Sequence, residues 1–168
     1  MVACLRSASV ADIRATLPGS RDFLTRDENT ADWGPVVDGD VMPLAVGAAI
    51  RACNMADVPV LVGFTKNEGR VFAALSDVVV APEDYEAELT ELAGGPGAGA
   101  DAVIAAYPLN GEDPTVRYFD AIGDQLLMCA ARSSAIAIGE RTDAYQYFYT
   151  YPNAAFQLPT DFDLGAYH

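Results

Sequence analysis

The hydrophobic pattern predicts two β-strands that lie far apart in the chain. Residues 58–64 form a continuous apolar run rich in β-branched side chains, with a proline only near its start. Such a run is typical of a parallel strand that is covered on both faces, so we expect Val58–Phe64 to be buried. From Tyr145 to Tyr151 a tyrosine occupies every second position. This period of two, in residues that favour strands, predicts the second strand.

Helices are predicted by capping residues, such as Ser9 and Asp113-Pro114, that precede apolar periodic segments. Gly123-Asp124 predicts the stop of one helix and the cap of the next. The predicted helices cover, in order, Val10–Leu17, part of Pro43–Met55, Pro82–Leu92, a short segment capped by Asp101, Pro114–Ile122 and Gln125–Ile138.

The segments between these elements predict loops and turns. Residues 21–32 are polar and aperiodic, which indicates a surface loop, and Asp38-Gly39 predicts a turn. The glycine-rich residues 94–99 follow a helix and lack the Gly-Lys-Ser/Thr of a phosphate loop, so we interpret them as a plain loop. Thr65–Gly69 is a polar turn in which Gly69 relaxes the backbone. This turn follows a strand, where open α/β sheets place their chemistry.

The two strands and the helices between them predict an α/β fold. About 80 residues connect the strands, and a right-handed crossover within one parallel sheet is the natural connection. Two or three strands are too few for a doubly wound sheet. We therefore expect residues 1–168 to be part of a larger domain, incomplete at both ends. Alone, the chain should expose apolar strand edges and helix faces and be poorly soluble.

Composition and charge exclude several classes of protein. The chain has 168 residues, 51% of them hydrophobic, which argues against general disorder. Its formal net charge of −14 repels nucleic acids and anionic lipid surfaces. No apolar stretch reaches the length of a membrane span, and the start of the chain lacks the features of a secretory signal. Three widely spaced cysteines match no zinc or CxxC pattern.

Two residues are candidates for catalysis. Glu68 follows the first predicted strand, the position from which α/β enzymes present catalytic groups. His168 is the single histidine of the chain. An acid followed later in the chain by a histidine matches the last two members of the α/β-hydrolase triad, which is ordered Ser, acid, His.

Further sequence blocks accompany this pair. They are, in order, Cys4-Leu5-Arg6-Ser7, Trp33-Gly34-Pro35-Val36-Val37-Asp38-Gly39-Asp40 with Pro43, Val58–Gly63 with Asn67-Glu68-Gly69, Gly123–Cys129, the aromatic residues Tyr145–Tyr151, and Leu164–His168. Together they resemble the middle and later blocks of the type B carboxylesterase/lipase family, which includes cholinesterase-like enzymes. The resemblance runs from Cys4 to the last residue.

The resemblance implies a partial α/β-hydrolase fold, made of the later strands and helices of the sheet, and a function in carboxylic ester hydrolysis. A serine attacks the ester carbonyl of a small-molecule substrate, and His168 takes its proton and returns it to the leaving alcohol. Glu68 orients the imidazole and stabilises its charged form. This chemistry needs no metal or organic cofactor.

The family's nucleophile lies in a Gly-x-Ser-x-Gly elbow before the Cys4 block, and no serine of this chain has both flanking glycines. The resemblance thus implies that the serine is encoded upstream of Met1. Cys4 matches half of a disulfide found in secreted family members, whose partner would also lie upstream. The cellular compartment stays open.

Other interpretations remain at this point. Asp161, Asp163 and His168 could hold a divalent metal ion. The tyrosines of 145–151 could line a ligand pocket, although core packing is the favoured role. The family also has non-catalytic adhesion proteins, against which the presence of both Glu68 and His168 argues. An inactive truncated remnant is the third alternative.

Overall fold

The computed structural model describes residues 6–16, 36–152 and 163–167, which belong to two units, residues 1–45 and 46–168. The helices and strands are, in chain order, α1 (Val10–Thr16), α2 (Val46–Arg51), β1 (Val60–Thr65), α3 (Glu68–Leu75), α4 (Tyr85–Leu92), α5 (Ala98–Ala106), α6 (Pro114–Gly123), a π-helical segment (Asp124–Met128), α7 (Cys129–Gly139) and β2 (Ala144–Tyr149). Within these described ranges, no helix is long and apolar enough to cross a membrane. The predicted loop at residues 21–32 lies outside them.

The first unit contains the predicted cap and turn. The Ser9 hydroxyl accepts the Asp12 backbone N–H at 3.1 Å, which confirms the N-cap of α1. Asp38 Oδ1 accepts the backbone N–H groups of Asp40 and Met42, while Gly39 takes a φ of +80°. These two hydrogen bonds lower the pKa of Asp38. The predicted turn at Asp38-Gly39 is therefore confirmed.

The second unit contains a parallel sheet of β1 and β2, the two strands of the described residues. Val60 pairs with Ala144 and the register continues to Thr65 and Tyr149. The chain between the strands is helical, so the predicted parallel pair with a helical connection is confirmed. Gly63 allows the ring of its register partner Tyr147 to cover it, because a Cβ at Gly63 would overlap that ring.

The prediction that Val58–Phe64 is buried on both faces is wrong. Leu61 is 68% exposed, and only Phe64 and Thr65 at the end of β1 are buried. The tyrosines of β2 are exposed as well, so their expected core packing is not found. The reason is the size of the sheet: among the described residues each strand has one neighbour, and the described helices leave part of the apolar surface of the sheet uncovered. Exposed apolar side chains on the helices, such as Leu75 and Ile136, agree with the expected exposure of helix faces.

Helices α3 and α6 pack at two glycines. A Cβ on Gly69 would overlap the carbonyl oxygen of Phe119, and a Cβ on Gly123 would lie 2.5 Å from the backbone N of Gly69. Neither glycine has a positive φ. Gly69 is therefore required for close helix contact and does not relax a turn as we predicted.

The expected break at Gly123-Asp124 is also wrong. Gly123 and Asp124 both have helical backbone angles, and the π-helical segment Asp124–Met128 joins α6 to α7 without interruption. Position 123 requires glycine because the backbone of Gly69 packs directly against it. This tertiary contact is the reason for a glycine that in the sequence resembles a helix stop.

Other helix starts agree with the sequence in part. Asp113 accepts the N–H groups of Thr115 and Val116 ahead of Pro114, as predicted. Asp101, by contrast, lies inside the first turn of α5, whose N-cap is Gly97. Pro82 likewise precedes α4, which begins three residues later behind Asp84.

The main hydrophobic core lies between α4, α5 and α6. Leu89 and Phe119 are fully buried. The buried cluster here consists of Leu89, Val80, Tyr85 and Ala121, with Tyr107 packed against it. The hydroxyl of Tyr85 donates to the carbonyl oxygen of Tyr107 at 2.7 Å, which satisfies the polar end of a buried ring.

We predict that Gly69→Ala lowers the free energy of unfolding by about 3 kcal/mol or more, because the new methyl group meets backbone that cannot move aside. Gly99→Ala is the matched control. Gly99 lies within α5 with no neighbouring atom within 4 Å of an added Cβ, so the change should be neutral or slightly stabilising. Urea denaturation followed by circular dichroism measures both. Equal midpoints for the two variants would contradict the close helix contact.

We also predict a loss of stability above pH 10. Burial raises the pKa of Tyr85 to about 12 from its ordinary value of 10.0. The unfolded chain therefore loses this proton first as the pH rises, and stability declines between these two values. Tyr85→Phe should make this decline shallower by one proton, measured from urea midpoints at pH 9 to 12. An unchanged slope would argue against a buried hydroxyl.

Candidate functional site

Glu68 lies at the amino end of α3, three residues after Thr65, the last residue of β1. It is the first helical residue and is 8% exposed, so our placement of it within a polar turn is wrong. The turn itself is reduced to Lys66-Asn67. A carboxylate in the first turn interacts favourably with the helix dipole.

The end of β1 holds the Glu68 carboxylate directly. Oε1 of Glu68 accepts the backbone N–H of Thr65 at 2.8 Å. Thr65 is 7% exposed, and its buried hydroxyl has no hydrogen-bond partner among the described residues. One oxygen of the carboxylate is thus fixed by the backbone of the strand that precedes it.

Residues 163–167 are bonded to the same turn. The backbone N–H of Asn67 donates to the carbonyl oxygen of Ala166 at 2.7 Å, and Asn67 Oδ1 accepts the Ala166 N–H at 3.0 Å. Gly165, with φ +65°, passes so close to the Asn67 amide that a Cβ there would overlap it. Leu164, Ala166 and Tyr167 are buried. The segment that precedes His168 is therefore anchored beside Glu68.

Arg70 makes a second connection between these elements. Its Nε and Nη2 donate to the two oxygens of Asp120 on α6 at 2.8 and 2.9 Å, a two-pronged pairing of largely buried groups. Nη1 donates to the carbonyl oxygen of Asp163 at 3.0 Å. Glu112 adds a weaker ion pair at 3.6 Å and Arg117 contacts Asp120. The hydrogen bond to Asp120 raises the pKa of Arg70.

His168, the second predicted catalytic residue, lies outside the described residues. The structure brings together Glu68, Asn67 and the segment that leads to His168. The pairing of Glu68 with His168 stays a prediction.

A possible metal site and the serines of the chain were also considered from the sequence. Asp163 Oδ1 accepts the Gly165 N–H, while Asp161 lies outside the described ranges, as does His168. Across residues 6–16, 36–152 and 163–167, no three His, Cys, Asp or Glu side chains form a metal-binding group. Of the described serines, Ser133 and Ser134 lie within α7 and Ser76 follows α3. None of the described serines occupies a strand-to-helix turn.

A groove of about 440 Å³ lies along α4, α5 and the loop after α5. Its walls include Tyr85, Tyr107, Glu83 and Glu86, and Glu68 is not among them. The Tyr107 hydroxyl donates to Asp124 at 2.5 Å, and burial raises the pKa of both groups. Both tyrosine hydroxyls are thus engaged in the packing of the helices.

Sequence reasoning assigned no individual role to Asn67, Arg70 or Asp120. Asn67 carries a recognisable signal, since an asparagine directly before an apolar helix predicts a side-chain cap. Its side chain has a different partner, however, which is distant in sequence. Arg70 and Asp120 are also far apart in the chain, and no short-range pattern could have paired them.

Comparisons with known proteins show which proteins this chain is similar to. The model of the carboxylesterase family matches residues 1–168. The chain is also similar to the cAMP-regulated D2 protein of Dictyostelium discoideum, at 26% identity over 123 residues. That match covers 71% of this chain but 22% of the Dictyostelium protein, so the chain spans about a fifth of the length of its relative.

We predict that Asp120→Asn lowers the free energy of unfolding by roughly 3 kcal/mol, because it leaves the Arg70 guanidinium without its buried counter-charge. Glu112→Gln removes the half-exposed partner of the same arginine and should cost less than about 1 kcal/mol. Urea denaturation at low and at high salt measures both changes. Similar small losses from the two variants would show that the pairing with Asp120 contributes little.

Proposed function

The chain belongs to the carboxylesterase family, and we propose that it supplies Glu68 and His168 as the acid and the base of a Ser-Glu-His triad that hydrolyses carboxylic esters. The observation that carries this proposal is the position of Glu68. It is a buried carboxylate at the carboxyl end of a parallel strand, fixed by Thr65 and adjacent to the anchored segment before His168.

The proposed chemistry proceeds in two steps. The serine oxygen attacks the ester carbonyl carbon while the His168 imidazole takes the hydroxyl proton, and the imidazolium then protonates the departing alcohol. Water repeats the sequence on the acyl-serine, which releases the carboxylic acid and the free serine. Glu68 orients the imidazole and stabilises its positive charge at each step.

We further propose that the chain is the C-terminal portion of a larger α/β-hydrolase domain, whose upstream part carries the serine. The exposed apolar side chains of β1 and β2 support this, because further strands and helices would cover them. The first test is to read the coding DNA upstream of Met1 in the same frame. A Gly-x-Ser-x-Gly elbow supports the triad, an elbow without serine supports a binding protein, and a stop codon supports an inactive remnant.

In an esterase assembled from that full frame, we predict that Glu68→Gln lowers kcat for a simple acetate ester by on the order of 10³ to 10⁴-fold. The Thr65 N–H is a donor and holds an oxygen, so the glutamine NH₂ takes the place of Oε2. An NH₂ group there favours the wrong imidazole tautomer for a base. Steady-state hydrolysis at pH 8 measures the loss.

Glu140→Gln, at an exposed site after α7, is the matched control and should leave kcat unchanged. Circular dichroism should give the same spectrum for both variants and the parent. Turnover by Glu68→Gln equal to that of the control would exclude Glu68 as the triad acid.

A further inference from the structure

We propose that Asn67 is a positioning residue for the triad: its side chain holds residues 163–167, the segment that leads to His168, next to the start of α3. The inference rests on the proposed function and extends it, since it names a residue that acts through another. It is carried by three features of Asn67, which are its place at a helix start, its partner and its close neighbour.

The first feature is a capping hydrogen bond that Asn67 does not make. Asn67 is the residue before α3, and asparagine is among the best residues for accepting the free N–H groups of a first helical turn. Its side chain makes no such bond. The acceptor oxygen is directed instead to a backbone group almost a hundred residues later in the chain.

The second feature is the reciprocal geometry of this contact. Asn67 donates its backbone N–H to Ala166 and accepts the Ala166 N–H at its side-chain oxygen. Two hydrogen bonds in opposite directions fix both the distance and the rotation of the segment. Ala166 is 1% exposed, so water is no ready substitute for the Asn67 oxygen.

The third feature is the fit of Gly165 against the Asn67 amide. A side chain at residue 165 would overlap Asn67, and its φ of +65° lies in the region that favours glycine. Arg70 supports the same segment further upstream through the Asp163 carbonyl oxygen, and is itself fixed by Asp120. The start of α3 and the residue before it thus carry both the acid and the contacts that place the chain leading to the base.

The position of this segment matters for the rate. A general base must lie within hydrogen-bond reach of both the nucleophile and its orienting acid, and a displacement of about 1 Å can cost on the order of 10²-fold in rate. Neither Asn67 nor Ala166 is required to touch substrate. Loss of the Asn67 oxygen should therefore lower kcat and leave KM unchanged.

The test compares Asn67→Leu, which has a similar volume but no acceptor, with Asn67→Asp, which keeps an acceptor oxygen. Asn54→Leu, on the loop after α2, is the control. In the full-frame esterase, kcat is expressed per active site by titration with a serine-directed inhibitor. We expect Asn67→Leu to lose roughly 10- to 100-fold in kcat, and Asn67→Asp and the control to remain within a few-fold of the parent.

Two readouts separate positioning from a loss of folded protein. Hydrogen exchange at the Ala166 amide should accelerate roughly tenfold or more in Asn67→Leu and stay slow in Asn67→Asp. Because His168 is the single histidine of this 168-residue chain, its imidazole proton signal can be assigned without ambiguity when the chain is isotope-labelled as a segment. The His168 imidazole should titrate differently in Asn67→Leu than in the parent, because loss of the Asn67 contact should move the imidazole away from Glu68.

The outcomes distinguish the two proposals. If Glu68→Gln and His168→Ala lower kcat while Asn67→Leu accelerates exchange at Ala166 without loss of kcat, the positioning role is overturned and the triad stands. If Glu68→Gln and His168→Ala leave kcat unaltered, the triad itself fails. Should Asn67→Leu not fold, Asn67→Ala makes the same comparison with a smaller side chain, and a full kcat in that variant equally overturns the inference.

Discussion

The contact of α3 with α6 at Gly69 and Gly123 is the constraint on which the remaining arrangement depends. Backbone meets backbone there, so the two helices have a single closest approach. That approach fixes the first turn of α3, and hence Glu68. At the residue that follows Gly69, it brings Arg70 within reach of Asp120. The positions of the acid, of its supporting ion pair and of the segment before His168 all depend on the two glycines at this contact.

The turn between β1 and α3 combines several roles in very few residues. Thr65 holds the carboxylate oxygen, Asn67 holds the Ala166 backbone, Glu68 bears the charge, and Gly69 permits the helix contact. Each role uses a different atom type, which explains why the segment is polar although it lies among buried residues. A substitution at one of these positions therefore affects its neighbours through shared geometry more than through charge.

The features of the fold that could be predicted from the sequence are those that depend on residues close together in the chain. The cap at Ser9, the turn at Asp38 and the start of α6 at Asp113-Pro114 were all predicted correctly, because their hydrogen bonds close within four residues. Gly69 and Gly123 were misread as turn and stop signals. Their reason is a contact between two helices, and no local pattern distinguishes a glycine needed for packing from one needed for backbone freedom.

The candidate site, too, was predictable only where its features depend on neighbouring residues. The position of Glu68 after an apolar strand was visible, whereas its burial and its bond to Thr65 depend on how α3 begins. The exposure of the tyrosines of β2 was not predicted, because an alternating aromatic strand indicates a covered sheet. How much of that sheet is covered depends on strands that a single segment does not specify.

The π-helical segment Asp124–Met128 sets the phase of the helix that contains it. Before it, α6 packs against α3 and α4, and after it α7 packs against β1, β2 and α2. Each additional residue turns the helical surface by about 100°. The wide turn thus lets one continuous rod present one apolar stripe to the helices and a differently directed stripe to the sheet, without a loop between them. The position of the helices around Glu68 and the position of the sheet that leads to it are therefore coupled through this one continuous helix.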